Sequence, residues 1–158
     1  MFLEFYKNKI LTPESAMKMV AYYKLKDKKI VFTNGCFDVL HVGHLHILSA
    51  ARELGQALIV GLNSDKSVRN LKGMSRPVQH EDDRALLLAG LSVVDAIVLF
   101  DELTPLQLIE QLQPDVLVKG GDYKIEEIVG NNIVKQIEVI PFIEGYSSSL
   151  IIKKIKSL

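Results

Sequence analysis

The sequence predicts a single α/β domain: a five-stranded, mainly parallel sheet, doubly wound, with helices on both faces. Three observations predict it. Five short apolar runs rich in Val and Ile recur along the chain, and strands covered on both faces read as near-continuous apolar runs of this kind. Amphipathic stretches long enough for crossover helices separate the runs, which is the pattern of βαβ units. The chain has 158 residues, a length for about one domain.

The elements follow in order. Thr12-Pro13 opens a helix through about Tyr23, Thr being a capping residue and Pro suiting the first turn. Residues 1–28 are therefore expected as an N-terminal helical extension, and residues 29–158 as the main globular unit. Ile30-Val31-Phe32 leads the first strand, ending near Thr33-Asn34. Residues 43–54 carry Leu45, Leu48 and Ala51 at spacings of three, with Gly55 as a stop signal. The second strand is Leu58-Ile59-Val60-Gly61-Leu62. Residues 70–80 lack periodicity and are expected to form the most mobile loop. A helix over 81–91 begins with acidic residues, which suit the positive end of the helix dipole. Ala96-Ile97-Val98-Leu99-Phe100 is the third strand, and Thr104-Pro105 opens a helix through Leu112. Val116-Leu117-Val118 is the fourth strand, and a helix is expected over 125–135. Val139-Ile140-Pro141-Phe142 is the fifth strand. A last helix starts at about Ser149, with Ile151, Ile152 and Ile155 on one side.

Composition excludes several classes. With 48% hydrophobic and 24% charged residues the chain is neither disordered nor collagen-like. Nineteen basic residues balance nineteen acidic ones, so binding to nucleic acid by broad phosphate neutralisation is disfavoured. One cysteine, Cys36, allows no internal disulfide and no CxxC site. No secretory signal or apolar run of 18 residues is found, so the expectation is a cytoplasmic protein with no membrane partner.

In open α/β sheets ligands bind beyond the carboxyl ends of the strands. The first strand runs there into Thr33-Asn34-Gly35-Cys36-Phe37-Asp38-Val39-Leu40-His41-Val42-Gly43-His44. This outlines a strand–turn–helix cradle in which helix-start N–H groups and the helix dipole favour an anion. It is neither a Walker loop nor GxGxxG. His41 and His44, three apart on a first helical turn, point to one side. Two imidazoles there can hydrogen-bond a polyphosphate and follow the growth of negative charge at phosphorus. Gly43 lets a ligand approach the backbone. A metal pair or two surface histidines are the other readings. Near the far end, Glu144-Gly145-Tyr146-Ser147-Ser148-Ser149 enters the last helix, as a plain serine cap or as a phosphate contact.

Gly35-Cys36-Phe37-Asp38 followed by His41-Val42-Gly43-His44, with the serine-rich segment, resembles the cytidylyltransferase-like nucleotidyltransferase superfamily. That resemblance implies a Rossmann-like fold. Residues 119–123 (Lys-Gly-Gly-Asp-Tyr) and 71–77 are most similar to its heptose 1-phosphate adenylyltransferase branch, often the C-terminal half of a bifunctional kinase/adenylyltransferase. The similarity runs over roughly residues 10–156, and with no kinase half in the sequence a stand-alone form is expected. Two departures stand out: Ser148-Ser149 replace the more common threonines, and residues 129–139 are short and lack a Gly-Gly.

The resemblance implies transfer of AMP from ATP to D-glycero-D-manno-heptose 1-phosphate, giving ADP-heptose for lipopolysaccharide or a related glycan. It implies His41, His44 and Lys72 as catalytic residues. Asn34, Gly35, Phe37, Gly43, Gly120, Asp122, Tyr146, Ser147, Ser148 and Ser149 would bind the nucleotide. Asn63, Asp65, Arg76 and Lys119 would bind the sugar phosphate, with Asn63 and Asp65 also readable through helix capping. Mg²⁺ would travel with ATP and no dedicated metal ligands are assigned. Asp38 is either a contributor or a turn cap, Arg84 a phosphate contact or an intrahelical partner, and Cys36 a packing residue. Partners are ATP and a sugar phosphate, with a homodimer expected because family members often form one. The competing readings are a cytidylyltransferase acting on glycerol 3-phosphate, a nucleotide-binding module without turnover, and a metal-binding module.

Overall fold

The apolar runs become strands of one sheet, and the polar, cap-bearing stretches between them become its covering helices. The structure, a computed structural model, describes residues 2–158. Its strands are β1 (Ile10–Leu11), β2 (Ile30–Gly35), β3 (Ala57–Asn63), β4 (Ala96–Phe100), β5 (Val116–Gly120) and β6 (Gln136–Ile140). Its helices are α1 (Phe2–Lys7), α2 (Pro13–Lys24), α3 (Val42–Glu53), α4 (Asp65–Lys72), α5 (Glu81–Ala89), α6 (Leu106–Leu112) and α7 (Ser148–Lys156). The sheet order is β1-β4-β3-β2-β5-β6, with every pairing parallel.

Alternate residues of the strands feed two cores. Ile30, Phe32, Ile59, Val98 and Leu117 pack with α2 and α6 through Ala16, Val20, Leu108 and Leu112. Val31, Leu58, Val60, Ile97 and Val118 pack on the other face with α3 and α5 through Leu48, Ala51, Ala85 and Leu88. Burial on both faces explains why the strands carry no polar alternation.

Six expectations are corrected. The sheet has six strands, because Ile10–Leu11 pairs with Ile97 and Val98 at the edge. Residues 2–28 are therefore two helices and a strand built into the sheet, so the extension expected over 1–28 is not helical throughout. Residues 65–72 form α4, capped by Ser64, whose side chain accepts from the Ser67 N–H. Lys72 is thus the last residue of a helix rather than part of the loop. Residues 125–135 hold only a 3-10 turn, Ile125–Glu127, and Gly130 breaks any longer helix at φ +93°. The last strand spans Gln136–Ile140 and stops before Pro141, which has no N–H for the ladder. Pro105 stands one position earlier than expected, as the N-cap of α6.

The chain moves from β2 through β3 to β4 on one side, then crosses to β5 and β6 on the other. The carboxyl ends of β2 and β5 therefore flank the topological switch point, where such sheets open a crevice.

Candidate active site

The crevice is a cleft with two lobes. One, of about 510 Å³, is floored by Asn34, Gly35 and Cys36 at the end of β2 and reaches Asn63, Lys72, Lys119 and Gly120. The other, of about 420 Å³, lies against His41, Gly43, Arg76 and the entry to α7. His44, Ile47, Lys72, Phe142 and Ser148 border both.

Of the histidine pair, His44 borders both lobes and His41 the smaller one. His41 is the N-cap of α3 with extended backbone and makes no side-chain cap bond. Its ring stacks on that of His44, centroids 3.8 Å apart and planes 23° from parallel. The Phe37 ring lies against that of His44, centroids 5.2 Å apart and planes tilted by 56°. Gly43 is required by this stack: a Cβ there would stand 3.0 Å from the His41 ring and 3.3 Å from Tyr146 Cβ. The space it leaves is filled by those side chains, so it serves ring packing as well as ligand approach. Gly120 likewise makes room for Ile47.

Burial holds the His44 imidazole down to about 4, with the charges of His41 and Lys72 adding to the effect and Asp38 opposing it. Burial also lowers His41. Both rings are neutral near pH 7, which permits the stack. Nδ1 of each is buried with no hydrogen-bond partner, so each ring has unused hydrogen-bonding capacity inside the protein.

Asp38 is a loop anchor, the turn-capping role among its two readings. Its buried carboxylate accepts from Val78 N–H at 3.0 Å and Gln79 N–H at 3.1 Å. Arg76 Nε lies 2.8 Å from it. Its carbonyl accepts from the Ser148 hydroxyl. One residue thus ties the β2–α3 turn to loop 73–80 and to α7. The neighbouring Phe37 and Val39 are left-handed, φ 44° and 58°, a costly conformation for a β-branched residue.

The other residues divide. Asn34, Gly35, Phe37, Lys72, Gly120, Asn63 and Lys119 border the larger lobe. Lys119 Nζ lies 3.4 Å from Asn34 Oδ1, and burial lowers its pKa. Asn63 gives its amide to Ser67 at 3.0 Å. Arg76, Tyr146, Ser147, Ser148 and Ser149 border the smaller lobe. Ser147 caps α7 by accepting from Leu150 N–H at 3.1 Å, the plain cap among its readings. Two residues are not brought to the cleft. Asp122 is exposed and borders neither lobe. Asp65 is turned to Arg84 at 2.8 Å and His80 at 3.1 Å, in a separate hollow. Burial pushes its carboxyl up, but those hydrogen bonds prevail and leave it below its ordinary value. Arg84 fits neither of its two readings: it is fully buried. Sequence reasoning missed Ile47, Leu103, Thr104 and Phe142 as cleft walls. The usable signal was position, since Leu103 and Phe142 stand three and two residues beyond the carboxyl ends of β4 and β6.

The cytidylyltransferase-like family model matches residues 32–154. The chain is 52% identical over 150 residues to the "Bifunctional protein HldE" of Wolinella succinogenes, covering 95% of this chain and 32% of that one. It is 60% identical over 129 residues to the protein of that name from Campylobacter concisus, 82% of this chain and 27% of that one. It spans about a third of the length of these curated relatives. Among solved structures, the lipopolysaccharide core biosynthesis protein of Thermoplasma volcanium superposes with TM-score 0.64 at 29% identity, over 74% of this chain and 99% of that one. The pantoate-beta-alanine ligase of Francisella tularensis gives 0.63 at 16% identity, over 94% and 78%, and shows the fold alone. A parallel sheet open at its switch point, a stacked histidine pair in the opening, and a family match across most of the chain lead to one conclusion: this chain belongs to the cytidylyltransferase-like family.

Proposed function

We propose that this chain transfers AMP from ATP to D-glycero-D-manno-heptose 1-phosphate, releasing pyrophosphate and giving ADP-heptose. The observation that carries the reaction type is the stacked, neutral His41–His44 pair where two lobes meet at His44, one ending at the start of α7 and the other ringed by Lys72, Asn63 and Lys119. The acceptor rests on the resemblance of residues 71–77 and 119–123 to heptose 1-phosphate adenylyltransferases. The high identity to the bifunctional relatives supports it. So does the likeness to a lipopolysaccharide core biosynthesis protein.

The chemistry suits the residues. A phosphomonoester has a second pKa of about 6, so its oxygen is already anionic at neutral pH and no strong general base is needed. That oxygen attacks the α-phosphorus, the bond from α-phosphorus to the bridging oxygen breaks, and pyrophosphate leaves with the electron pair. The protein's task is alignment and charge stabilisation. His41 and His44 would donate hydrogen bonds to phosphate oxygens, and the incoming charge would raise their proton affinity. Ser149 and the first turn of α7 would face the triphosphate. Lys72 and Arg76 would neutralise the reacting phosphates, and Lys119 would meet the acceptor. Mg²⁺ would enter on the triphosphate as part of that substrate, because Asp38, the carboxylate whose charge acts on His44, is already engaged by two N–H groups and Arg76. The reading places the reaction in the cytoplasm, where ATP is abundant, and takes a homodimer from the resemblance alone.

Pyrophosphate release measured with ATP and CTP, each against heptose 1-phosphate and glycerol 3-phosphate, tests this. Release with ATP and the heptose phosphate is expected. Release only with CTP and glycerol 3-phosphate would overturn it.

A further inference from the structure

Arg84 of α5 is a fully buried cation whose guanidinium meets four separate segments. Nε donates to the Gln79 carbonyl at 3.0 Å, Nη1 to the carbonyls of Cys36 at 2.6 Å and Asn63 at 2.9 Å, and Nη2 to Asp65 Oδ1 at 2.8 Å. One side chain thereby joins the β2–α3 turn, the end of β3, the start of α4 and the end of loop 73–80. Stability alone does not call for this arrangement, since well-packed apolar residues often replace a buried ion pair without loss. A planar fork of donors fixes the positions of several acceptors at once.

Those acceptors are the supports of the cleft. Cys36 immediately precedes Phe37, whose left-handed backbone sets its ring against His44. Gln79 is held from the other direction by Asp38, through its N–H at 3.1 Å. The turn and the loop are thus clamped together twice, by Asp38 through N–H groups and by Arg84 through carbonyls. Asn63 and α4 carry the acceptor-lobe wall that ends at Lys72.

We infer that Arg84 is a positioning residue for the transfer reaction: paired with Asp65, it sets the Cys36 turn and thereby the placement of the Phe37–His44 pair toward the acceptor lobe. The kinetic part of this rests on the function proposed above. None of its hydrogen-bond partners lies among Ser147–Ser149; it holds the turn next to Asn34, Gly35 and Phe37, so its loss acts on turnover and on binding in the larger lobe.

Two variants test it. Arg84→Lys keeps the charge beside Asp65 but loses the fork. The double substitution Arg84→Met/Asp65→Leu removes both charges and leaves no unpaired ion in the core. Asp115→Ala, at the opposite end of the sheet, is the control for lost stability. The expected result is a cooperative melt for all three. The double variant should lose about 10²-fold in kcat, the scale of a small misplacement of reacting groups, with KM for either substrate changing much less than kcat. Arg84→Lys should fall between it and the wild type, and Asp115→Ala should keep its kcat. A second readout needs no substrate: ¹⁵N imidazole resonances of His41 and His44 should shift in both Arg84 variants and stay in place in Asp115→Ala. Folded Arg84 variants with wild-type kcat and unmoved imidazole signals would overturn the inference. So would a kcat loss matched by the control. If the wild type transfers nothing to the substrates tested, the proposed function fails, and the imidazole resonances alone decide the role of Arg84.

Discussion

The two ends of the sheet are built by opposite rules. At the amino ends of the strands, side chains finish the ladder. Asp115 accepts from the Ile30 N–H at 2.8 Å, and Asp95 accepts from the Leu58 N–H at 2.8 Å while pairing with Arg52 at 3.0 Å. Gln56 accepts from the Lys29 N–H at 2.8 Å. At the carboxyl ends, two imidazole nitrogens are buried without partners, and burial depresses the basicity of His44, His41 and Lys119. Unsatisfied groups persist where the surrounding structure holds them and something else is to be bound. One end supplies stability, and the other spends some of it on a site.

The sharpest way to break this comparison is to exchange the costs. His44→Ala at the site should lose about 10²–10³ in kcat, the range for removing one donor to developing charge, while its melting temperature at pH 7 changes little. Asp115→Ala at the far end should do the reverse. It leaves the Ile30 N–H unpaired, at about 1–3 kcal/mol of stability, with kcat per folded molecule unchanged. Urea denaturation beside steady-state kinetics reads both. A His44 variant that unfolds easily but turns over normally would erase the distinction.

Much of this division was legible before the structure. The Val- and Ile-rich runs located five strands because burial on both faces leaves a strong local signature. The histidine pair was legible because an i, i+3 spacing is itself local. Other features were hidden for physical reasons. β1 is two residues long and shows no pattern. Ile125, Ile128 and Val129 mimic helical spacing, but Gly130 takes a positive φ that ends it. α4 is rich in Lys, Arg and Asn, with Ser64 as its only clear announcement. Arg84 defeats sequence reading altogether, because three of its four partners are backbone carbonyls, which every residue carries.

Acid sharpens the comparison with a smaller effect. His44 titrates near 6.5 unfolded and at about 4 folded, chiefly through burial, then through His41 and Lys72, against the pull of Asp38. The folded state therefore binds fewer protons than the unfolded state between these values. The associated stability is fully present above about pH 6.5 and is lost as pH falls through about 4. After allowance for solvent screening it amounts to about 2 kcal/mol. Chemical denaturation from pH 7 to 4 should show a shallower decline in His44→Gln than in the wild type. Equal slopes would mean that the imidazole is not held neutral by its surroundings.

The smallest expected effect lies at the seam between the site and α7. No residue of α7 is buried, so the helix depends on its first turn for attachment. There the Ser148 hydroxyl donates to the Asp38 carbonyl, joining the helix to the turn that carries the histidines. Ser148→Ala removes that bond at about 1 kcal/mol without disturbing either core. If the loss falls on the bound form of α7, it weakens ATP binding by roughly fivefold and leaves kcat at saturation near normal. Ser148→Thr keeps the hydroxyl and should restore binding, which also tests whether serine and threonine are equivalent here. Amide exchange over residues 148–156 gives the independent reading: faster in the Ala variant, unchanged in the Thr variant. Unaltered exchange in Ser148→Ala would place the attachment of α7 elsewhere and separate the helix from the strained turn beside it.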